Sequence, residues 1–155
     1  MTADDLKQRT KQFALEIMKL CDTLPNHRSA TVIANQLLRS GTSIGANYRA
    51  ACRARSDAEF ISKIGVTLEE ADESAYWLEL IRDSGMKPAQ ELAKLVTESN
   101  ELISIFVASS NTARRRVASN QKSRQNLQSA ICNLQSEIKR YVCHSSGPLC
   151  WRCWC

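Results

Sequence analysis

A stripe of apolar and small side chains from Ile61 to Leu78 constrains the fold of the 155-residue chain more than any other sequence feature. Ser56 followed by Glu59 has the spacing of a capping box, which predicts that a helix begins at about Asp57. Gly85 is placed to end this helix in a left-handed conformation. The stripe residues recur every three or four positions, which predicts one face of a long helix: Ile61, Ile64, Leu68, Ala71, Ala75 and Leu78.

Four large apolar residues lie off this stripe: Phe60, Trp77, Leu80 and Ile81. They widen the apolar arc of the helix beyond what a single core requires. We therefore expect them to bury against a neighbouring subunit, where large aromatic side chains are common. The acidic run Glu69–Glu73 indicates a solvated face or salt bridges between subunits. A metal site is disfavoured because consecutive helical positions point in different directions.

Helical spacing recurs in three further segments. The first predicted helix runs from Ala3 to Thr23, and the second from Ser29 to about Arg55. The last follows Gly85, takes Pro88 in its first turn and runs toward Arg116. Short links force each helix to lie antiparallel to the next. The predicted fold is therefore all-α, an up-down-up-down antiparallel four-helix bundle over residues 1–118 with a C-terminal extension over residues 119–155.

Two glycines four residues apart, Gly41 and Gly45, interrupt the pattern of the second helix. Glycine inside a helix costs roughly 1 kcal/mol relative to alanine. The pair therefore indicates either a close approach of a neighbouring helix or a bend near Thr42. A phosphate-binding P-loop is disfavoured, because that motif requires a lysine and a preceding strand, and neither is present.

The run SGTSIGANYR at residues 40–49, followed by Ser56, Phe60, Ile61, Lys63 and EEADESAYWLEL at residues 69–80, resembles the bacterial four-helix-bundle protein family. This family includes proteins encoded by intervening sequences of 23S ribosomal RNA genes and the accessory variability determinant of diversity-generating retroelements. The resemblance is dense over residues 36–84, looser over 4–116, and absent beyond. It implies a ring-like homopentamer, with nucleic-acid binding and a reverse-transcriptase partner in the accessory branch. It supplies no catalytic residues.

The net charge of +5 is unevenly distributed. Residues 1–118 are almost neutral, so an argument for nucleic-acid binding must rest on where the charges cluster. In the predicted topology the ends of helices two and four lie beside the start of helix one, with Arg9 nearby. Alternatively, the arginines only offset the negative ends of these two helices. The candidate nucleic-acid-binding residues are Arg49, Arg53, Arg55, Arg114, Arg115, Arg116, Lys7 and Lys11.

The extension contains a two-copy heptad, NLQSAIC from residue 126 and NLQSEIK from residue 133. Leu127, Ile131, Leu134, Ile138 and Tyr141 have coiled-coil spacing, which favours a helix. Two heptads alone are marginal in water. We therefore expect a poorly ordered extension with transient helix rather than a docked fifth helix.

The last residues are rich in cysteine: Cys143, Cys150, Cys153 and Cys155, with His144 beside them. A Cys-x-x-Cys pair is a common half of a zinc site, but no second pair occurs elsewhere in the chain. We expect neither a metal nor another cofactor.

The remaining sequence features address location and activity. The charged N-terminus and the short apolar runs predict a cytoplasmic protein that does not enter a membrane. Seven cysteines, with only Cys21 and Cys52 in the bundle, suit a reducing compartment. Two histidines and no Glu-x-x-His pair predict a protein that is not an enzyme. The sequence leaves two functions open: a nucleic-acid-binding accessory protein that serves a reverse transcriptase or a ribosomal-RNA element, or a scaffold that recognises another protein.

Overall fold

The computed structural model describes the backbone of residues 1–145 and the side chains of residues 1–140. This part of the chain contains four helices: α1 (Ala3–Asp22), α2 (Arg28–Ala51), α3 (Asp57–Asp83) and α4 (Ala89–Ser145). The chain divides into two units, of which the first is Met1–Arg115 and the second begins at Arg116. The first unit contains α1, α2, α3 and the first half of α4, so the predicted all-α four-helix bundle is confirmed.

Local signals fix the start of α3 where the sequence predicts it. The hydroxyl of Ser56 accepts a hydrogen bond from the backbone N–H of Glu59 at 3.1 Å. The carboxylate of Glu59 reaches one residue further back than a standard capping box and accepts the N–H of Arg55 at 2.8 Å. Two otherwise unpaired N–H groups are thereby satisfied at the helix start.

The end of α3 also follows the prediction. Gly85 has a φ of 71°, in the left-handed region that glycine adopts without strain. The N–H of Gly85 donates to the carbonyl of Arg82, and the N–H of Met86 donates to the carbonyl of Ile81. These two bonds form a Schellman motif, and the partly buried Met86 packs against the core beside it.

Contacts between helices establish the antiparallel arrangement. On α1 and α2, Thr10 lies beside Gly45 and Ile17 beside Gly41. A side-chain Cβ at Gly41 would lie only 3.1 Å from Ile17, so the expectation of a close helix approach is confirmed. Between α2 and α3, the hydroxyls of Ser40 and Ser74 form a buried hydrogen bond of 3.0 Å.

Contacts with α4 complete the bundle. Lys94 pairs with Glu16 at 2.9 Å, and Arg9 pairs with Glu98 further along, so α1 and α4 run in opposite directions. Since α1 is antiparallel to both α2 and α4, these two helices run parallel to each other. The ring of Tyr48 on α2 lies 5.8 Å from that of Phe106 on α4, which fixes their register.

The buried face of α3 is rotated relative to the predicted stripe. Its fully buried residues are Ile64, Thr67, Ala71, Ser74, Leu78 and Ile81, a regular three-four spacing. Thr67 and Ser74 can occupy core positions because their hydroxyls donate to the carbonyls of Lys63 and Glu70, one turn earlier. The prediction that Ile81 faces a neighbouring subunit is therefore wrong: Ile81 has no exposed surface within the single chain.

The helix α4 is longer than the predicted fourth helix. It continues for 57 residues, through the predicted end near Arg116 and through the heptads. No glycine or proline interrupts residues 89–145, so nothing in the backbone chemistry ends the helix there. All side chains over residues 118–140 are exposed. The side chains of the C-terminal cysteines and of the histidine beside them lie outside the described residues: Cys143, His144, Cys150, Cys153 and Cys155.

Candidate nucleic-acid and subunit interfaces

Five of the predicted nucleic-acid-binding arginines belong to one end of the bundle. We call this set the basic end: Arg49, Arg53, Arg55, Arg114 and Arg115. Arg49 lies in the last turn of α2, and the next two arginines lie in the link that follows this helix. The last two lie on α4 and are exposed. All five belong to the unit Met1–Arg115.

The register of α2 and α4 accounts for this grouping. Because the two helices are parallel and Tyr48 lies beside Phe106, residues that follow them along the chain lie toward the same end. Arg114 is eight residues beyond Phe106, about 12 Å along a helix axis. Arg49 directly follows Tyr48 in the last turn of α2, so Arg49 and Arg114 both lie past the ring contact in the same direction.

The two lysines of α1 lie at different levels of the bundle. Lys7 lies near Arg49 of the basic end and pairs with Asp4 at 2.9 Å. The hydrogen bond from Lys7 to Asp4 raises the pKa of the lysine. Lys11 is exposed one turn further along α1, about 6 Å from the level of Lys7.

Arg9 has a structural role instead. Its guanidinium donates to Glu98 at 2.5 and 2.8 Å and also to Glu101, which joins α1 to α4. These two hydrogen-bonded carboxylates raise the pKa of Arg9 further above its ordinary value. Arg9 therefore has its donors already engaged. By contrast, within the part of the chain that the structure describes, none of the five basic-end arginines takes part in an ion pair.

The carboxylates near the basic end are mostly engaged in holding helix starts. Asp5 accepts the N–H of Thr2 at 2.7 Å while the Thr2 hydroxyl accepts the N–H of Asp5. This backbone hydrogen bond lowers the pKa of Asp5. Glu59 accepts from Arg55 in the same way at the start of α3. Each carboxylate thus faces the positive pole of its own helix.

One alternative explanation of the arginines fails for Arg114 and Arg115. A helix that ended near Arg116 would place its negative pole beside them, and basic residues would be expected there for stability alone. The helix α4 continues to Ser145, so no helix end lies next to these two arginines. The third predicted arginine on α4, Arg116, is the first residue of the second unit.

A second cluster lies where α2 meets α3. We call it the α3 patch: Arg39, Glu70, Glu73, Tyr76 and Trp77. One nitrogen of Arg39 donates to both oxygens of Glu73, at 2.6 and 2.8 Å. The indole N–H of Trp77 donates to the same carboxylate at 3.1 Å. Tyr76 stacks at a tilt on Trp77, with ring centroids 5.1 Å apart, and is 52% exposed.

Glu70 is the unusual member of the α3 patch. Its Oε2 atom is buried without a hydrogen-bond partner among the described residues, and its other oxygen lies 3.9 Å from Arg39. Burial raises the pKa of Glu70, and Arg39 only partly opposes this effect. Glu70 and Glu73 therefore pair with Arg39 of the same chain. The sequence predicts a solvated face or salt bridges between subunits. Nothing in the sequence spacing signalled Arg39 as their partner, because the pairing depends on how α2 lies against α3.

The remaining predicted interface residues lie at the edge of the core. Phe60 and Trp77 are partly buried and pack against the core, and Leu80 is half-buried. Each retains surface that a neighbouring subunit could cover, unlike Ile81.

The described part of the chain offers little that resembles catalytic machinery. A groove of about 400 Å³ runs between α1 and α4, and the Arg9–Glu98 and Glu16–Lys94 ion pairs line it. No group of three or more His, Cys, Asp or Glu side chains within residues 1–140 could hold a metal ion. Burial raises the pKa of the Cys21 thiol to about 11, which keeps it protonated and weakly nucleophilic at neutral pH. No helix in the described residues is long and apolar enough to cross a membrane.

Comparison with known proteins agrees with the resemblance found in the sequence. The family model described as 23S rRNA-intervening sequence protein matches residues 4–108, within the first unit. A crystal structure of a protein of unknown function from the S23 ribosomal protein family of Bacteroides thetaiotaomicron superposes with a TM-score of 0.63 at 36% identity. The match covers 67% of this chain and 96% of that chain. No curated protein sequence matches. The chain belongs to the family of 23S rRNA-intervening sequence proteins.

Proposed function

We propose that this protein is a homo-oligomeric, non-enzymatic accessory protein that binds nucleic acid through the basic end. The observation that carries the proposal is the group of five arginines without ion-pair partners in the described chain, two of them beside no helix end. Arginine is the side chain best suited to phosphate, because its planar donors match phosphate oxygens in pairs. Family membership supports the same reading.

Binding of this kind reads charge rather than base sequence. Contacts between arginine and phosphate fix the position of a protein on nucleic acid but carry no sequence information. Such binding shows little sequence preference and weakens steeply with salt. Each neutralised phosphate contributes roughly −0.7 to −0.9 to the slope of log K against log salt.

The test is a salt titration of affinity for fluorescent single-stranded RNA, single-stranded DNA and duplex DNA. Replacing Arg114 and Arg115 with Gln should weaken binding to all probes alike and flatten the salt slope by roughly 1.4 to 1.8 if both contact phosphate. The matched control is Lys19→Gln with Arg28→Gln, which removes the same charge at the opposite end of the bundle. Equal losses in both double variants would refute a localised site.

We further propose that the assembly is a pentamer, as the family resemblance implies. Light scattering should give the mass of five chains, and a monomeric mass at micromolar concentration would contradict the proposal. Trp77→Ala should weaken assembly by about 2 kcal/mol, because large aromatic residues near an interface centre carry much of its energy. Helix content by circular dichroism should change little.

The same proposal has two branches. The protein acts either with an rRNA intervening sequence or with a retroelement, whose reverse transcriptase is then its partner. A gene position inside a ribosomal-RNA gene or beside a reverse-transcriptase gene supports one or the other. Co-purification with the neighbouring reverse transcriptase would test the second directly. A gene position unrelated to both would argue against the accessory role.

A second candidate function is a protein-recognition scaffold, and the α3 patch favours it. Tyr, Trp and Arg are the residues most enriched at binding hot spots, and all three occur together there. No detectable nucleic-acid binding by the parent chain at low salt would favour this scaffold over the accessory role.

A further inference from the structure

The second half of α4 carries an apolar face that the bundle does not account for. It consists of Leu127 (63% exposed), Ile131 (40%), Leu134 (58%) and Ile138 (61%). Exposed apolar side chains grouped on one helical face indicate an interaction surface. This segment lies beyond the family match, which ends at residue 108.

The order of residues on this face identifies its occupant. The successive spacings of four, three and four residues are those of a coiled-coil seam, with leucine at both d positions and isoleucine at both a positions. Isoleucine at a with leucine at d favours two parallel strands over three or four. A surface evolved for an unrelated groove would not require this alternation.

Charge along the seam fits a second copy of the same helix. The e and g positions that flank the seam are Gln128, Ala130, Gln135 and Glu137, and only the last is charged. The cations Lys122, Lys139 and Arg140 lie at outer positions of the heptad, away from the seam. Two identical helices can therefore approach without like charges meeting at the e and g positions.

One charged residue does enter the seam, at its N-terminal end. Arg124 occupies the a position one heptad before Ile131 and is exposed. A single polar residue at an a position specifies strand number and register, at a cost in stability. Arg124 would thus weaken the pair while discouraging shifted registers.

We propose that residues 124–138 form a parallel, in-register, two-stranded coiled coil with the same segment of a second copy of this chain. The pairing is independent of nucleic-acid binding and of the α3 patch. A seam of two heptads pairs weakly on its own. Association should therefore depend on protein concentration, and any assembly of the bundles would raise the effective concentration of the tails.

Disulfide trapping tests the proposal in the full chain. In a background with Ser in place of Cys52, Cys132, Cys143, Cys150, Cys153 and Cys155, the variant Leu134→Cys places one thiol at a d position. Facing d positions in a parallel pair bring the two thiols within disulfide reach. We expect a covalent dimer under mild oxidation at least tenfold faster than for Ser129→Cys, the matched control on the outer face.

Three outcomes would overturn the proposal. Equal trapping rates for Leu134→Cys and Ser129→Cys would show random collision, and no trapping of either would show an unpaired tail. Trapping between Ile131→Cys and Leu134→Cys chains, but not within either variant, would show an antiparallel pair. As a second signature, Arg124→Ile should raise the trapped fraction at a given concentration, and an unchanged fraction would count against a seam through residue 124.

Discussion

The close approach of α1 to α2 at Gly41 should carry measurable stability. A Cβ at this position would lie 3.1 Å from both Cγ1 and Cγ2 of Ile17. Favourable contacts between carbon atoms lie at about 3.5–4.0 Å. Ile17 is fully buried, so it cannot yield by turning toward solvent. Gly41→Ala therefore forces the core to shift.

Two opposing effects set the magnitude. Replacing glycine with alanine inside a helix stabilises it by about 1 kcal/mol. Overpacking a well-filled core costs typically about 1–3 kcal/mol. We expect Gly41→Ala to be about 1 kcal/mol less stable than the parent, because Ile17 is held on all sides.

Two other glycines serve as matched controls. A Cβ at Gly45, on the same helix, would lie 3.5 Å from the nearest atom of Thr10, an ordinary contact. A Cβ at Gly65 on α3 would meet nothing within 4 Å. Both alanine variants should gain about 1 kcal/mol, which separates them from Gly41→Ala by about 2 kcal/mol.

Urea unfolding followed by circular dichroism measures these differences. All variants must be compared at one protein concentration, because self-association would contribute to apparent stability. If Gly41→Ala proves as stable as Gly65→Ala, Ile17 moves freely and the small residue at position 41 has no packing role.

Two further predictions concern the acidic and tail residues. Because burial raises the pKa of Glu70, its charged form destabilises the fold as pH rises above the ordinary glutamate range, so Glu70→Gln should stabilise the protein at pH 7. This gain in stability should shrink as the pH falls through the raised pKa of Glu70. A difference in urea midpoint between Glu70→Gln and the parent that does not change with pH would contradict the prediction. Ending the chain after Ala118 should leave a folded bundle, since the buried residues end at Ala113. A much lower melting temperature of the shortened chain would show that the tail supports the bundle.

Features that depend on adjacent residues were predictable. The start of α3 at Asp57 follows from the capping residue Ser56. Its end follows from Gly85, which can adopt the positive φ that the helix end requires. The rotation of α3 was not predictable in the same way. Its core face includes Thr67 and Ser74, and a search for apolar spacing passes over hydroxyl residues even when the helix satisfies them internally.

This rotation also explains the error at Ile81. Counted from Leu78, Ile81 continues the true three-four series, but it lies off the series that runs through Leu68 and Ala75. The continuation of α4 beyond Arg116 is missed for a different reason. Two heptads are marginal as an isolated helix, but in this chain they continue a helix that no glycine or proline ends.

The continuation of α4 changes the electrostatics of the basic end. A helix terminus carries roughly half an elementary charge, positive at its start and negative at its end. Two helices, α1 and α3, start at this end, and only α2 finishes there, because α4 passes through toward Ser145. The helix poles therefore add about half a positive charge, where a four-helix bundle that ended near Arg116 would have cancelled it. Asp5 and Glu59 lie against the two positive poles and offset them. The arginines that follow Tyr48 and Phe106 therefore keep a positive electrostatic potential at this end. The nearly neutral net charge of residues 1–118 does not reveal it.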